Sequence, residues 1–448
     1  MMNILKNDVK KVFFIGIGGI SMSALARLIH SFGVEIAGSD MSANEQIKSV
    51  KAICKKIYIG HSESNILEYT PDLVVYTGAI KDNNPELKMA RELGIPTMER
   101  SEFLGLICDV YQNVIAISGT HGKTSTTAMI SNIFVCAGLN PTVHIGGVSV
   151  NFESNLVVGG RDYFITEACE YKRSFEYIRS KCAVVTNIEC DHMDCYSSLK
   201  DLEKSFIKFL NNSQIGVVES GSTLLKSINT KLYYTVGPNG ANFEAKDIVK
   251  VDGGYKFTVY ENGEFLANFR LNIMGEYNIK NALVSIAVAR VFGIDILSIY
   301  DGLNSYAGVE RRNEKIGQID GTLVYADYCH HPTEIANSLA NFKENFGRVL
   351  CIFQPHTYTR TVALFKDFCG CFGDAKKVVI YKTYAAREEY KFEGSETYLY
   401  GKIKHKNKQL CIDEKELINI VKSEAKNYDV VAILGAGDMY NIVKNGIW

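Results

Sequence analysis

The sequence lacks a charge bias. Its 49 Lys and Arg stand against 50 Asp and Glu, a formal net charge of -1. That balance gives no electrostatic reason to expect binding to nucleic acid or to a membrane surface. No uninterrupted apolar run reaches the ~18 residues that a spanning helix needs. No Cys-x-x-Cys pair occurs among the 12 cysteines, and 448 residues is far beyond the size of a disulfide-stapled scaffold. Cys136, Cys182 and Cys351 sit inside apolar runs, where a reduced thiol acts as a small hydrophobe. Reduced thiols point to a reducing compartment. The glycine-rich start turns amphipathic around Arg27 and His30 and reads as strand, turn and helix, not as a secretion signal. A cytoplasmic protein is expected. Low-complexity segments and short-period repeats are missing too.

What is present is ordinary globular material: 46% apolar residues, enough for several cores. At ~100–200 residues per domain, the length suits two to four domains. Continuous apolar runs at 12–15, 73–76, 114–117, 184–186, 349–353, 378–381 and 430–434 read as strands buried on both faces of parallel sheets. Helical patterns lie between them, at 124–136 and 278–292 among others. This alternation predicts doubly wound α/β architecture. Residues 231–273 break the pattern and read as antiparallel hairpins. Three binding-type strand ends, near Gly16, Gly119 and Asp327, predict three α/β domains, at 1–107, 108–307 and 308–448.

The first of these ends runs Gly16-Ile17-Gly18-Gly19-Ile20-Ser21 into a helix from about Met22. Gly16 suits a tight turn, and Gly18 lets a diphosphate approach the backbone. Asp40, at the end of the next strand, is placed to meet ribose or base, and Ser21 replaces the third glycine of the dinucleotide fingerprint. A glycine turn in any α/β domain looks similar; the acid at the next strand end favours nucleotide binding without naming the nucleotide.

The second is the strongest local signal. The strand at 114–117 leads into Gly119-Thr120-His121-Gly122-Lys123-Thr124-Ser125 and a helix. Glycines let N–H groups converge on phosphate oxygens, Lys123 can neutralise the β- and γ-phosphates, and Thr124 offers a hydroxyl to Mg²⁺. Ile117 occupies the place of the first Walker glycine. Downstream strand ends carry Glu167 and Glu170, then Glu189, Asp191, His192 and Asp194. Glu167 and His192 are candidate Mg²⁺ ligands there; a solvated acidic loop is the competing reading.

Taken in order, the motifs resemble the Mur ligase family over nearly the whole chain. They are the two glycine loops, the 185–194 segment Val-Thr-Asn-Ile-Glu-Cys-Asp-His-Met-Asp, Gly275-Glu276-Tyr277-Asn278-Ile279-Lys280-Asn281-Ala282, Gly308-Val309-Glu310-Arg311-Arg312, Asp327-Tyr328-Cys329-His330-His331-Pro332-Thr333-Glu334, Phe353-Gln354-Pro355-His356-Thr357-Tyr358-Thr359-Arg360-Thr361 and Gly435-Ala436-Gly437-Asp438. The resemblance implies a Rossmann-like N-terminal domain, a central P-loop ATPase domain with a small antiparallel sheet, and a Rossmann-like C-terminal domain. It implies that ATP and Mg²⁺ drive the joining of L-alanine to the carboxylate of UDP-N-acetylmuramate through an acyl phosphate, in a monomer or weak homodimer. By the same resemblance Lys123 contacts phosphate and Thr124, Glu167 and His192 bind Mg²⁺. Asn278 and Asn281 contact ATP near the adenine, and Arg311 or Arg312 reaches its phosphates. Tyr328, His330 and Arg360 face the amino acid. The amine must arrive unprotonated, which makes His330 a candidate general base. Gly18, Asp40, His61 and Thr77 line the UDP pocket. Ser21, Tyr277 and Thr357 depart from residues common in the family.

His330 and His331 also raise the question of zinc, against which stands the lack of a third ligand at convincing spacing. The rivals are a ligase that attaches a preformed tripeptide to the same acceptor, a nicotinamide-dependent oxidoreductase that leaves the Lys123 loop unexplained, and a nucleotide-operated binding module.

Overall fold

Strands that are apolar on both faces need helices above and below, and the chain supplies them in alternation. The computed structural model describes residues 9–189, 195–230, 232–238, 240–386 and 388–447. Among the described residues, no helix is long and apolar enough to cross a membrane.

Among the described residues three sheets carry the fold, of five, ten and six strands. The first is wholly parallel, in the spatial order Lys56–Ile59, Glu35–Asp40, Lys11–Ile15, Leu73–Tyr76, Thr97–Glu99. Strand order reverses beside Lys11–Ile15, and an open α/β sheet takes its ligand in the crevice at such a reversal. Gly16, with φ +85°, turns the chain there; a Cβ on it would lie 2.6 Å from Thr77 Cγ2. The second strand runs on through Gly38 and Ser39 to Asp40, further than its apolar run.

In the ten-stranded sheet, Asn113–Ser118 lies between Tyr163–Glu167 and Ser180–Val185, all parallel. The last of these leaves the sheet at Val185, one residue before the 184–186 run ends, because Thr186 and Asn187 turn to bond the phosphate loop. Phe243–Val251, Gly254–Glu261 and Glu264–Leu271 are antiparallel hairpins, as their turn residues predict. They are a wing of the same sheet, joined by the pairing of Phe243 with Val236. Leu232–Val236 departs from the hairpin reading: it runs parallel to Ser213–Glu219, and its half-exposed residues form no continuous apolar run.

The six-stranded sheet has one antiparallel edge, Glu314–Ile319, paired with Thr322–Asp327. Its other strands, Val430–Leu434, Val349–Phe353, Lys377–Tyr381 and Lys408–Cys411, continue it in parallel.

Helix Lys123–Cys136 carries the phosphate loop at its start. It buries Ile130, Ile133 and Phe134 completely, each worth about 1.5–3 kcal/mol. Gly302, in helix Ile296–Asn304, lets that helix approach so closely that a Cβ would lie 2.5 Å from Ile133 Cα, and Asn132 Nδ2 donates to its carbonyl at 2.6 Å. Cys182 and Cys351 are buried thiols whose pKa burial raises. Cys136 is exposed, because the last turn of its helix leaves the core.

Candidate active site

The phosphate loop is held from outside itself. Asn187 accepts from His121 N–H at 2.9 Å and donates to the His121 carbonyl at 2.9 Å, and Thr186 Oγ1 donates to that carbonyl at 2.6 Å. Thr120 N–H donates to the Asn187 carbonyl at 3.0 Å. Lys123 Nζ donates to the carbonyls of Gly119 and Thr120 and lies 2.9 Å from Glu170 Oε1. Burial works against its charge, but Glu170 foremost outweighs it and raises the Lys123 pKa. The ammonium is therefore charged at the loop, where a triphosphate would bring its γ-phosphate.

Glu167 lies beside Thr124, and its Oε1 accepts from Gly146 N–H at 2.6 Å. Burial raises the Glu167 pKa. Hard oxygen donors beside a phosphate loop suit Mg²⁺. His192 lies outside the described residues.

A groove of about 1200 Å³ opens between the second and third sheets, lined by His121, Ser125, Asn278, Asn281, Arg312 and Glu334 among others. Asn281 Nδ2 donates to Asn278 Oδ1 at 3.0 Å, and Asn278 Nδ2 donates to the Met274 carbonyl at 2.8 Å, which fixes both side chains at the start of helix Tyr277–Val291. Tyr277 accepts from Asn313 Nδ2 at 2.5 Å. Of the two arginines, Arg312 is on the groove wall. Arg311 donates to the carbonyls of Gly435 and Gly437 at 2.9 and 3.0 Å and stacks on Tyr328 and Tyr440, so it ties the linker to the third sheet.

Tyr328, His330 and Arg360 come together around His356. Rings of Tyr328 and His330 are 5.6 Å apart, those of His330 and His356 5.9 Å, and Arg360 Nη1 lies 3.1 Å from His356 Nδ1. His330 Nδ1 is 3.0 Å from the Tyr328 carbonyl, a contact that requires a proton on Nδ1. Burial lowers the His330 pKa to about 3. The ring is neutral at pH 7 and can accept a hydrogen bond through Nε2. It is a weaker base than the free side chain, which counts against the expected general base. Thr357 caps the following short helix with φ +66°.

A third ligand does stand near His331. His121 and Glu189 come from the other side of the groove, all three ligand atoms lying within 4.8 Å of one another. Spacing along the chain could not reveal it. His331 Nδ1 accepts the helix cap from Thr333 N–H at 3.3 Å, however, and His121 faces carboxylates on both nitrogens, Glu334 at 2.9 Å and Glu189 at 3.4 Å.

At the first glycine loop, Gly18 N–H donates to Asp40 Oδ2 at 2.9 Å and Asn44 Nδ2 donates to the Gly18 carbonyl at 3.1 Å. His61 Nδ1 lies 2.7 Å from Glu86 Oε2. Glu86 is fully buried and accepts from Ser39 Oγ and Asn65 Nδ2, each at 2.7 Å. Its hydrogen bond raises the His61 pKa. Ser21 Oγ is 3.1 Å from His144 Nε2, so the residue in the third glycine's place joins the first helix to the central sheet.

Three family descriptions match the chain in order: "Mur ligase family, catalytic domain" over residues 11–112, "Mur ligase middle domain" over 117–289 and "Mur ligase, glutamate ligase domain" over 311–437. The chain belongs to the Mur ligase family. It is 42% identical to a UDP-N-acetylmuramate–L-alanine ligase of Clostridium novyi, over 98% of both chains. It is 39% identical to one of Clostridium beijerinckii, over 98% of this chain and 97% of that one. The solved UDP-N-acetylmuramate–alanine ligase of Thermotoga maritima superposes with a TM-score of 0.84 at 26% identity, over 98% of each chain.

The family motifs contain Glu334 without giving it a role and do not reach Glu86 or Asn44, and Glu170 stood only among the acids at a strand end. Glu334 had one local signal, its place three residues after the helix cap His331, a capping-box spacing. Glu86, Asn44 and Glu170 act through pairings that no local pattern encodes.

Proposed function

We propose that this Mur ligase uses ATP to join L-alanine to the carboxylate of UDP-N-acetylmuramate, a step of peptidoglycan precursor synthesis in the cytoplasm. One observation carries the reading: 42% identity to an L-alanine ligase over 98% of both chains. The charged, half-buried Lys123 in the phosphate loop supports it. We divide the chain into a UDP-substrate domain at 1–107, an ATP domain at 108–307 and an amino-acid domain at 308–448.

A carboxylate is a poor electrophile, so phosphorylation must supply a leaving group. The muramyl carboxylate oxygen attacks the γ-phosphorus and ADP leaves. The alanine ammonium gives one proton to water and its amine attacks the acyl carbon; the tetrahedral intermediate then loses a second nitrogen proton to water and expels phosphate. Charge builds on oxygen in both steps, and fixed cations stabilise it. Lys123 and Arg312 serve the phosphates. Gly119, Thr120, Gly122 and Ser125 line the same loop, with Asn278 and Asn281 at the nucleoside. Arg360 and Tyr328 hold the amino acid, and neutral His330 accepts a hydrogen bond from its amine. Gly18, Asp40, His61 and Thr77 take the UDP moiety. Thr124 and Glu167, with His192, would hold Mg²⁺, which when bound supplies charge neutralisation on the triphosphate.

Competition between L-alanine and a preformed tripeptide as amine donors tests the assignment. L-alanine is expected to be the preferred substrate; preference for the tripeptide would make the chain the recycling ligase instead.

A further inference from the structure

The linker into the third sheet passes through left-handed backbone at Gly308 (φ +100°), Arg311 (φ +60°) and Asn313 (φ +50°). A few such residues between two sheets can absorb a hinge rotation. Where the two sides of the groove meet, the phosphate loop is gripped from the other domain. His121 Nδ1 lies 2.9 Å from Glu334 Oε1, in helix Pro332–Phe346. His121 Nε2 lies 3.4 Å from Glu189 Oε2, and Thr333 Oγ1 donates to that same oxygen at 3.1 Å. The imidazole is thus held between one carboxylate of its own domain and one from across the groove.

Glu334 is itself fixed. Its Oε2 accepts from the N–H groups of His330 and His331 at 3.0 and 3.3 Å, so the start of the helix aims Oε1 at His121. Arg312 Nη1 stands 3.9 Å from Oε1. Burial opposes its charge, yet the neighbouring His330 foremost, then His121 and Arg312, hold the carboxyl well below the usual carboxylate range. Backbone atoms of His121 bond Thr186 and Asn187, so a pull on its side chain acts on the loop that carries Lys123.

We propose that Glu334 is a positioning residue for phosphoryl transfer: by grasping His121 it makes the catalytic geometry of the phosphate loop depend on docking of the C-terminal domain. This rests on the ligase reading above. ATP can bind the loop in an open molecule, but transfer proceeds once Glu334 has closed on His121.

The test is Glu334→Gln, which keeps an oxygen for the His330 and His331 N–H groups and removes the charge facing His121. Turnover is expected to fall about 10- to 100-fold, as for loss of a charged hydrogen bond. The ATP dissociation constant should stay within about threefold, since only the transition-state geometry is lost. Compaction on adding a non-hydrolysable ATP analogue, read as radius of gyration by solution scattering, should shrink in the variant. His121→Asn reaches the same contact from the loop side and carries the test if the first variant fails to fold. The double variant should be no slower than the slower single variant. Glu334→Asp, which returns the charge, should recover part of the turnover. Variants that turn over within twofold of the parent and compact as it does would overturn the proposal, as would losses that multiply in the double variant. Scattering needs no product, so it reads the grasp even if the parent protein forms no amide with the UDP-sugar.

Discussion

Gly122 and Asn281 meet so closely that a Cβ on the glycine would lie 2.6 Å from Asn281 Oδ1. Gly122 also has φ +82°, a backbone that disfavours any side chain. The contact sets the helix carrying Asn278 and Asn281 against the phosphate loop. Gly122→Ala should therefore move the loop, and a displacement of about 1 Å at a reacting group costs ~100-fold in rate. Steady-state kinetics with varied ATP would show the loss in kcat/KM. Unchanged kinetics would mean that the close approach does not shape the site.

Lys123→Ala removes the fixed cation nearest the transferred phosphoryl group. Turnover should fall on the order of 10²–10³-fold. Glu170→Gln asks a different question, because Glu170 is almost fully buried against the ammonium. Breaking a buried pair costs about 3–5 kcal/mol. Urea unfolding should show a loss of that order without nucleotide, and saturating ATP should restore part of it. An unaltered midpoint would remove the pair from the account.

Glu86 acts through His61 at the UDP pocket. With Glu86→Gln, His61 loses the carboxylate that raises its pKa. KM for the UDP-sugar should rise about tenfold, the scale of one charged hydrogen bond, with kcat little changed. A fall in kcat at constant KM would place His61 elsewhere in the reaction.

His121 sets a pH dependence. Burial works against its charge, but Glu189 and Glu334 outweigh it and raise the pKa to about 9, above about 6.5 for the unfolded chain. A raised pKa stabilises the folded form most at low pH. The contribution is complete below about pH 6.5 and disappears as pH rises toward 9. The melting temperature of the parent should therefore fall more between pH 6.5 and 9 than that of His121→Asn. Parallel curves would show that His121 is not charged in the folded protein.

Much of the fold is legible because parallel strands are continuous apolar runs. Leu73–Tyr76, Val349–Phe353 and Val430–Leu434 begin and end where their runs do. The reading fails where burial stops deciding. The strand expected to run through Thr186 ends at Val185, since Thr186 and Asn187 serve the phosphate loop. The wing of hairpins joins the main sheet through Val236 and Phe243, a pairing with no local signature. Within the site, the glycine loops are legible because their geometry is local. His121 and Glu334 stand 213 residues apart, and only the folded chain brings them together.

The most direct measurement is phosphate release from ATP by the purified protein with magnesium, with and without UDP-N-acetylmuramate and L-alanine. Sustained release is expected only with both present, matched by one amide formed per phosphate. Equal release without either acceptor, or no amide with both, would contradict the account.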